Sequence, residues 1–345
     1  MCTVHISLRR HRPAVRHNMN ASLSTVEETT PQASNAFPDR TAQPFIKWVG
    51  GKRLHHEQFQ SLYPDALYQH RYHTYAEPFL GGGAIFLSLT SHIPFERILL
   101  SDINPNLILT YRAVKQDVEA LIGILEDYTQ RYHGAAADEQ AALYQDVRDA
   151  FNQPPEDFCY TECSTQSIER AAQFIFLNKC GYGGMFRVNK KGFFNVPWGK
   201  HKKPQILDEL NLRHVSQLLQ HAQLTVAGFR EFPIEKMDDG CFVYFDPPYR
   251  PLNATSHFTG YYGPGFNDND QRELAAIFRQ LDAQGASLML SNSDPTNEDP
   301  EDDFFDTLYD GFAIRRVSAL RKINSNFAKR GRKNELVITN YPTRI

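Results

Sequence analysis

The sequence predicts an α/β protein built on a doubly wound, mostly parallel sheet. Three observations lead there. Short apolar strands alternate with helical stretches rather than with hairpin turns. Two strands run into acids, Asp102 and Asp246, at the strand ends where open α/β sheets place their ligands. A glycine triplet, Gly81-Gly82-Gly83, separates the first strand from the helix that follows.

The elements read in order as follows. Tyr75-Ala76-Glu77-Pro78-Phe79 ends a strand, and Ala84 to Leu89 begins a helix. Arg97 to Asp102 is the next strand. A helical, more polar region runs from about Leu107 to Leu219. Strand-like segments return at Leu224-Thr225-Val226, Phe242 to Phe245, Ser287 to Leu290 and Leu336 to Thr339, with a helix over Asp270 to Leu281. The run Glu298-Asp299-Pro300-Glu301-Asp302-Asp303 reads as a helix start at Pro300, because proline and acids suit a first helical turn. The same acids as a metal site are the weaker reading.

A chain of 345 residues exceeds one usual compact domain, so a main domain plus a second module is expected. The middle region is read as an insertion, which divides the chain into 1–40, 41–112, 113–219 and 220–345. Residues 1–40 carry Arg9, Arg10, Arg12 and Arg16 ahead of a Ser/Thr/Asn/Pro stretch, and read as a disordered leader. They lack the apolar centre of a secretory signal. A floppy tail is preferred to a transit peptide.

Hydrophobic content of 41% with 22% charged residues is that of an ordinary globular protein. No apolar run approaches the roughly 20 residues that cross a bilayer. The five cysteines are scattered, and Cys159 and Cys163 lack a second pair at zinc-like spacing. No metal is expected, and reduced thiols fit a cytoplasmic protein. Net charge is −3, but the positive charge is local. Lys179 to Lys203 holds seven Lys or Arg and no acid, and Arg321 to Lys333 holds six more. Such local charge is the footprint of a nucleic-acid partner.

The glycine turn with an acid about twenty residues on suits a nucleotide-like ligand at a helix N-terminus. NAD, FAD and S-adenosylmethionine all fit that pattern, as does a tight turn with no ligand. Phe86 stands where a dinucleotide fingerprint has its third glycine. Glu77 adds a carboxylate near the turn, which suits a cationic sulfonium better than a pyrophosphate.

Asp246-Pro247-Pro248-Tyr249 follows an apolar strand. An aromatic amine is a poor nucleophile because its lone pair spreads into the ring. A carboxylate on Asp246 and the carbonyl of Pro247 can each accept one amine hydrogen and draw that lone pair out of the plane. The prolines fix the backbone so that both acceptors point at one spot. Tyr249 offers a face on which an extruded base can stack. An Asp-Pro-Pro turn that merely closes a strand is the bland alternative.

Asn178 to Asn189 leads into Lys190 to Lys200, with glycines, aromatics and cations interleaved. A loop or hairpin that enters a groove and follows phosphates has this composition. A mobile solvated loop would explain the charge but not Tyr182, Phe193 and Trp198.

With those residues in hand, the chain resembles the Dam-type DNA adenine methyltransferases, the D12 class or alpha group, from Phe45 to Tyr341. Phe45-Ile46-Lys47-Trp48-Val49-Gly50-Gly51-Lys52 is similar to the family's first cofactor segment, and Glu77 to Gly83 to its glycine motif. Asp102-Ile103-Asn104 is similar to its ribose-binding acid, and Asp246-Pro247-Pro248-Tyr249 to its catalytic motif. Phe258-Thr259, Phe266, Gln271, Ser291-Asn292-Ser293 and Asn340-Tyr341 also follow its pattern.

The resemblance implies a Rossmann-like methyltransferase sheet with an inserted, mainly helical target-recognition domain at 113–219, within a catalytic domain made of 41–112 and 220–345. It implies that Trp48, Lys52, Glu77, Phe79, Gly81, Gly83, Asp102 and Asp246 serve S-adenosyl-L-methionine. It implies that Tyr182, Met185, Arg187, Asn189, Pro197 and Lys200 serve double-stranded DNA, with Arg187 as the guanine-reading arginine. Gly183 replaces an asparagine and Lys200 replaces an arginine seen in some members. The expected reaction is methyl transfer to adenine N6 of a flipped base, with GATC, a target the family often recognises, as the expected site. A monomer is expected, with a cognate restriction endonuclease acting independently as a functional partner. An RNA or amino-cytosine methyltransferase, and a catalytically inactive nucleic-acid-binding relative, are the alternatives. Asp246 in place of serine argues against cytosine, and the inserted region argues against RNA.

Overall fold

The apolar runs form seven strands in a computed structural model that describes residues 41–48, 50, 59–162, 164–251, 265–320 and 332–343. They are β1 (Thr74–Glu77), β2 (Arg97–Asp102), β3 (Ala222–Val226), β4 (Cys241–Phe245), β5 (Ser287–Ser293), β6 (Ala313–Leu320) and β7 (Arg332–Thr339). All lie in one sheet, in the order β3-β2-β1-β4-β5-β7-β6. The first five run parallel, and β7 runs antiparallel to both neighbours. The expected α/β fold with a mostly parallel sheet is the fold observed.

Strands β1 and β4 are buried along their whole length, as strands covered on both faces must be. Successive side chains point to opposite faces. Phe242 and Tyr244 therefore join one core cluster with Tyr75, Met289 and Val337. Val243 and Phe245 join the other with Ala76, Leu288 and Ile338.

Most of the long helices start where a side chain can satisfy free N–H groups. Helix α1 (Ala84–Thr90) follows Gly83 directly. Asn104 caps α2 (Pro105–Gln116), which has proline at its first position. Asp117 caps α3 (Val118–Gly134), and α4 (Ala137–Asn152) follows. Ser164 caps α5 (Thr165–Cys180), Asp208 caps α6 (Glu209–Leu219), and Asn267 with Asp270 forms a capping box on α7 (Asp268–Ala283). Helix α5 is buried on nearly every side and packs against α2, α3 and α4. No helix among the described residues is long and apolar enough to cross a membrane.

Two sequence expectations are corrected here. Strand β6 was not anticipated, because Ala313 to Leu320 carries Arg315 and Arg316 at the sheet's edge, where one neighbour suffices. The acid run is not a helix start at Pro300. A short helix, α8 (Phe304–Leu308), begins only after Asp303, and Asp302 is instead drawn to the Arg250 guanidinium at 2.7 Å.

The chain steps outward from β1 to β2 and β3, then returns to β4 on the other side of β1. Connections there leave on opposite faces and open a crevice at the strands' C-terminal ends. Glu77, Asp102 and Asp246 all stand at that edge.

Candidate active site

Three neighbouring strands each deliver a carboxylate. Glu77 closes β1, Asp102 closes β2, and Asp246 follows β4 by one residue. Glu77 is 2% exposed and accepts a 2.7 Å bond from the Tyr75 hydroxyl. Burial first, and Glu77 second, push the Tyr75 phenol upward and keep it a donor.

Asp102 organises the glycine turn. Its Oδ2 accepts the Gly81 N–H at 3.0 Å, and its Oδ1 accepts the Asn104 N–H at 2.9 Å. Burial raises its pKa, and those two bonds act against the rise. Each carboxylate oxygen has two acceptor sites, so the pair of backbone bonds leaves capacity for ligand hydroxyls.

Gly81 adopts φ +48°, a left-handed conformation. A Cβ there would fall 2.7 Å from Cδ1 of Trp48, so only glycine lets the turn pass under the indole. Trp48 also stacks on Phe186, with centroids 6.2 Å apart and planes at 17°. The indole thus joins the glycine turn to the segment that holds Arg187. On the other side, Phe79 stacks on Phe229 at 5.8 Å and meets Phe266 edge-on at 5.9 Å. The three rings, inclined to one another by 25° to 79°, make a compact apolar cluster.

Asp246 is held by a hydroxyl chain. Ser291 Oγ donates to Asp246 Oδ1 at 3.0 Å and lies 2.8 Å from the Tyr244 hydroxyl. The rest of the tetrapeptide is fastened to β5 and α7. The Pro248 carbonyl accepts from Gln271 at 3.3 Å, Arg250 N–H donates to Asn292 Oδ1 at 3.1 Å, and the Arg250 carbonyl accepts from Ser293 Oγ at 2.8 Å. The carbonyl of Pro247 accepts no hydrogen bond among the described residues. Tyr249 donates to Glu335 at 3.0 Å, and burial holds its phenol protonated.

The basic segment folds as an irregular hairpin, with bridges between Gly181 and Trp198 and between Val188 and Phe194. Tyr182 at 62% and Phe193 at 47% stand exposed among the cations. Arg187 is braced by Asn195, through Nε to Oδ1 at 2.8 Å and Nη2 to the carbonyl at 3.3 Å. Its Nη1 makes no such bond among the described residues. Asn189 builds the hairpin tip by accepting from Lys191 and Phe193 N–H groups. Met185 is half-buried, while Pro197 and Lys200 are exposed, the latter with φ +55°.

The structure brings Trp48, Glu77, Phe79, Gly81, Gly83 and Asp102 together around the glycine turn, and sets the 246–249 loop at the adjoining strand end. Lys52, Phe258-Thr259 and most of the second basic cluster lie outside the described residues. Sequence reasoning missed Phe229, which belongs to no motif. It also gave Ser291 and Glu335 no role, because their partners are distant in sequence.

A family model described as D12 class N6 adenine-specific DNA methyltransferase matches residues 48–323. The chain is similar to the Type II methyltransferase M.MjaIII of Methanocaldococcus jannaschii, at 44% identity over 87% of this chain and 99% of that one. It is similar to the Type II methyltransferase M1.LlaDCHI of Lactococcus lactis subsp. cremoris at 35% identity, covering 87% and 95%. The DNA adenine methylase of Escherichia coli K12 matches at 32% identity, covering 85% and 93%.

Proposed function

The chain belongs to the D12 class N6 adenine-specific DNA methyltransferases, and from that premise we propose that it methylates adenine N6 of a base flipped out of double-stranded DNA, with S-adenosyl-L-methionine as donor. The observation that carries this reading is the tetrapeptide's pair of acceptors. Ser291 fixes the Asp246 carboxylate, and among the described residues the Pro247 carbonyl accepts no hydrogen bond while that of Pro248 is taken by Gln271.

The residues at the sheet's edge suit the donor. Trp48 and the partly buried Phe79 and Phe266, backed by Phe229, supply apolar ring surface for a purine. Asp102 retains acceptor capacity for ribose hydroxyls, and Glu77 adds negative charge for a cationic ligand. When bound, S-adenosylmethionine supplies an electrophilic methyl on a sulfonium.

The protein's part is to sharpen and aim the amine. Asp246 Oδ and the Pro247 carbonyl each accept one amine hydrogen, so the nitrogen lone pair is directed away from the purine plane. Aligning amine and methyl within near-contact distance lowers the barrier further through proximity. The amine loses its proton only after the new N–C bond has formed, so no group with a base's pKa is required for attack. Tyr249 provides the stacking face for the extruded adenine.

Target choice is assigned to residues 113–219. Arg187, braced through Nε and Nη2, retains Nη1 and one Nη2 hydrogen for a guanine edge, and Tyr182, Met185, Asn189, Pro197 and Lys200 flank it. GATC is the proposed target. The Type II name of the 44% identical relative supports a separate cognate restriction endonuclease as functional partner, in the cytoplasm.

Sequencing methylated adenines after expression in a methylation-free host tests substrate and site together. Methyl-adenine at one recurring sequence is expected. Asp246→Ala is expected to abolish transfer while DNA binding persists; comparable methylation by that variant would sink the mechanism.

A further inference from the structure

Strands β5 and β7 meet at a rung where Ser293 faces Glu335. Both side chains reach back to the loop that follows β4. Ser293 Oγ donates to the Arg250 carbonyl at 2.8 Å, and Glu335 Oε2 accepts from the Tyr249 hydroxyl at 3.0 Å. Tyr249 is therefore held at both ends. Its backbone is fixed by two prolines before it and by Arg250 after it, and its ring is fixed at the para position by a residue 86 positions away.

We propose that Glu335 is a positioning residue for base extrusion, locking the Tyr249 ring in the orientation that receives the flipped adenine. A tyrosine ring swings about two side-chain torsions. A hydrogen bond to a carboxylate is among the stronger neutral-to-charged bonds and is directional. Burial and the nearby Asp246 carboxylate keep the phenol protonated, so the bond runs from hydroxyl to carboxylate in one sense only. The ring is set before the base arrives, and its ordering is not charged against binding.

The choice of anchor fits its place. Glu335 stands on β7, in a sheet paired on both sides, whereas a residue on a loop would pass its own motion to the ring. The proposal rests on the reading of Tyr249 as the stacking face, and the experiment separates the two.

The probe is a duplex carrying 2-aminopurine in place of the target adenine, bound by the full chain with S-adenosylmethionine analogue present. A base stacked on Tyr249 is quenched, and an unstacked flipped base is bright. Wild type is expected dim, Tyr249→Ala bright, and Glu335→Ala bright with single-turnover transfer slowed about tenfold through loss of alignment. Glu335→Gln, whose amide oxygen still accepts the hydroxyl, is expected to return both signals towards wild type. Tyr249→Phe is expected to slow transfer at least as much as Glu335→Ala, because Ser291 also reaches the hydroxyl, and adding Glu335→Ala to Tyr249→Phe is expected to slow it no further. If Tyr249→Ala brightens the probe and Glu335→Ala neither brightens it nor slows transfer, Glu335 has no positioning role. If Tyr249→Ala leaves the probe dim, the stacking assignment itself fails, and the proposal goes with it.

Discussion

The carboxamide of Asn178 is bonded to both sides of Lys47. Its Oδ1 accepts the Lys47 N–H at 2.8 Å and its Nδ2 donates to the Lys47 carbonyl at 2.8 Å. The same Nδ2 donates to the Gly184 carbonyl at 2.8 Å. One buried amide on α5 thereby ties the strip that carries Trp48 to the hairpin that carries Arg187.

Asn178→Ala is expected to lose those three bonds together and about 1–3 kcal/mol of stability. More tellingly, S-adenosylmethionine affinity and DNA sequence discrimination are expected to fall in the same variant, since one strip supports both. Isothermal titration and methylation of base-substituted duplexes measure the two. A folded variant with normal donor affinity and normal discrimination would show that the amide is only a local brace.

Asp102 gives the chain two opposed pH dependences. Its native pKa is raised by burial above the ordinary value of 3.8. Between those values the folded chain holds a proton that the unfolded chain has lost. Its stabilising contribution is thus complete below 3.8 and is lost as pH rises through the native pKa. Donor binding runs the other way, because the ionised carboxylate is the better acceptor for ribose hydroxyls. The dissociation constant for S-adenosylmethionine is expected to fall as pH rises through that window. Asp102→Asn is expected to bind more weakly and without this pH dependence. A variant that keeps the wild-type pH profile would remove Asp102 from the ribose site.

The parts of this arrangement that follow from local chemistry were legible in the sequence. A strand of apolar residues ending on Asp246 and a glycine turn ending β1 announce themselves, because backbone geometry restricts what can stand there. The parts made through space were not. Ser291 falls in a stretch that follows the family's pattern, but its role is hidden until β5 lies beside β4 and its hydroxyl meets Asp246. Phe229 sits in a single helical turn with no motif, and only packing against Phe79 gives it meaning. Strand β6 escaped notice because an edge strand need not be apolar on both faces. Pro300 misled by a few residues: the acids do lead into a helix, but it begins at Phe304, where Asp303 is the cap and Asp302 accepts the Phe304 N–H at 3.2 Å while also pairing with Arg250.

Gly183 offers the sharpest test of the hairpin's assignment. It stands where the family commonly has asparagine, in the turn Tyr182–Gly184, with φ +66° and ψ 0°. Asparagine tolerates the left-handed region better than other residues with a Cβ. The position is exposed, and a Cβ would meet nothing closer than Met185 at 3.6 Å. Gly183→Asn is therefore expected to fold with a stability change within about 0.5 kcal/mol. Gly183→Val, β-branched at positive φ, is expected to lose about 1–2 kcal/mol. Beside exposed Tyr182, the new amide adds a donor and an acceptor to the hairpin's surface. Discrimination at one base pair of the target is expected to rise in the Asn variant, while Arg187→Ala loses it at a guanine. If the Asn variant sorts every base-substituted duplex as wild type does, residue 183 does not face the duplex. The hairpin would then hold DNA by its phosphates and read no bases at this turn.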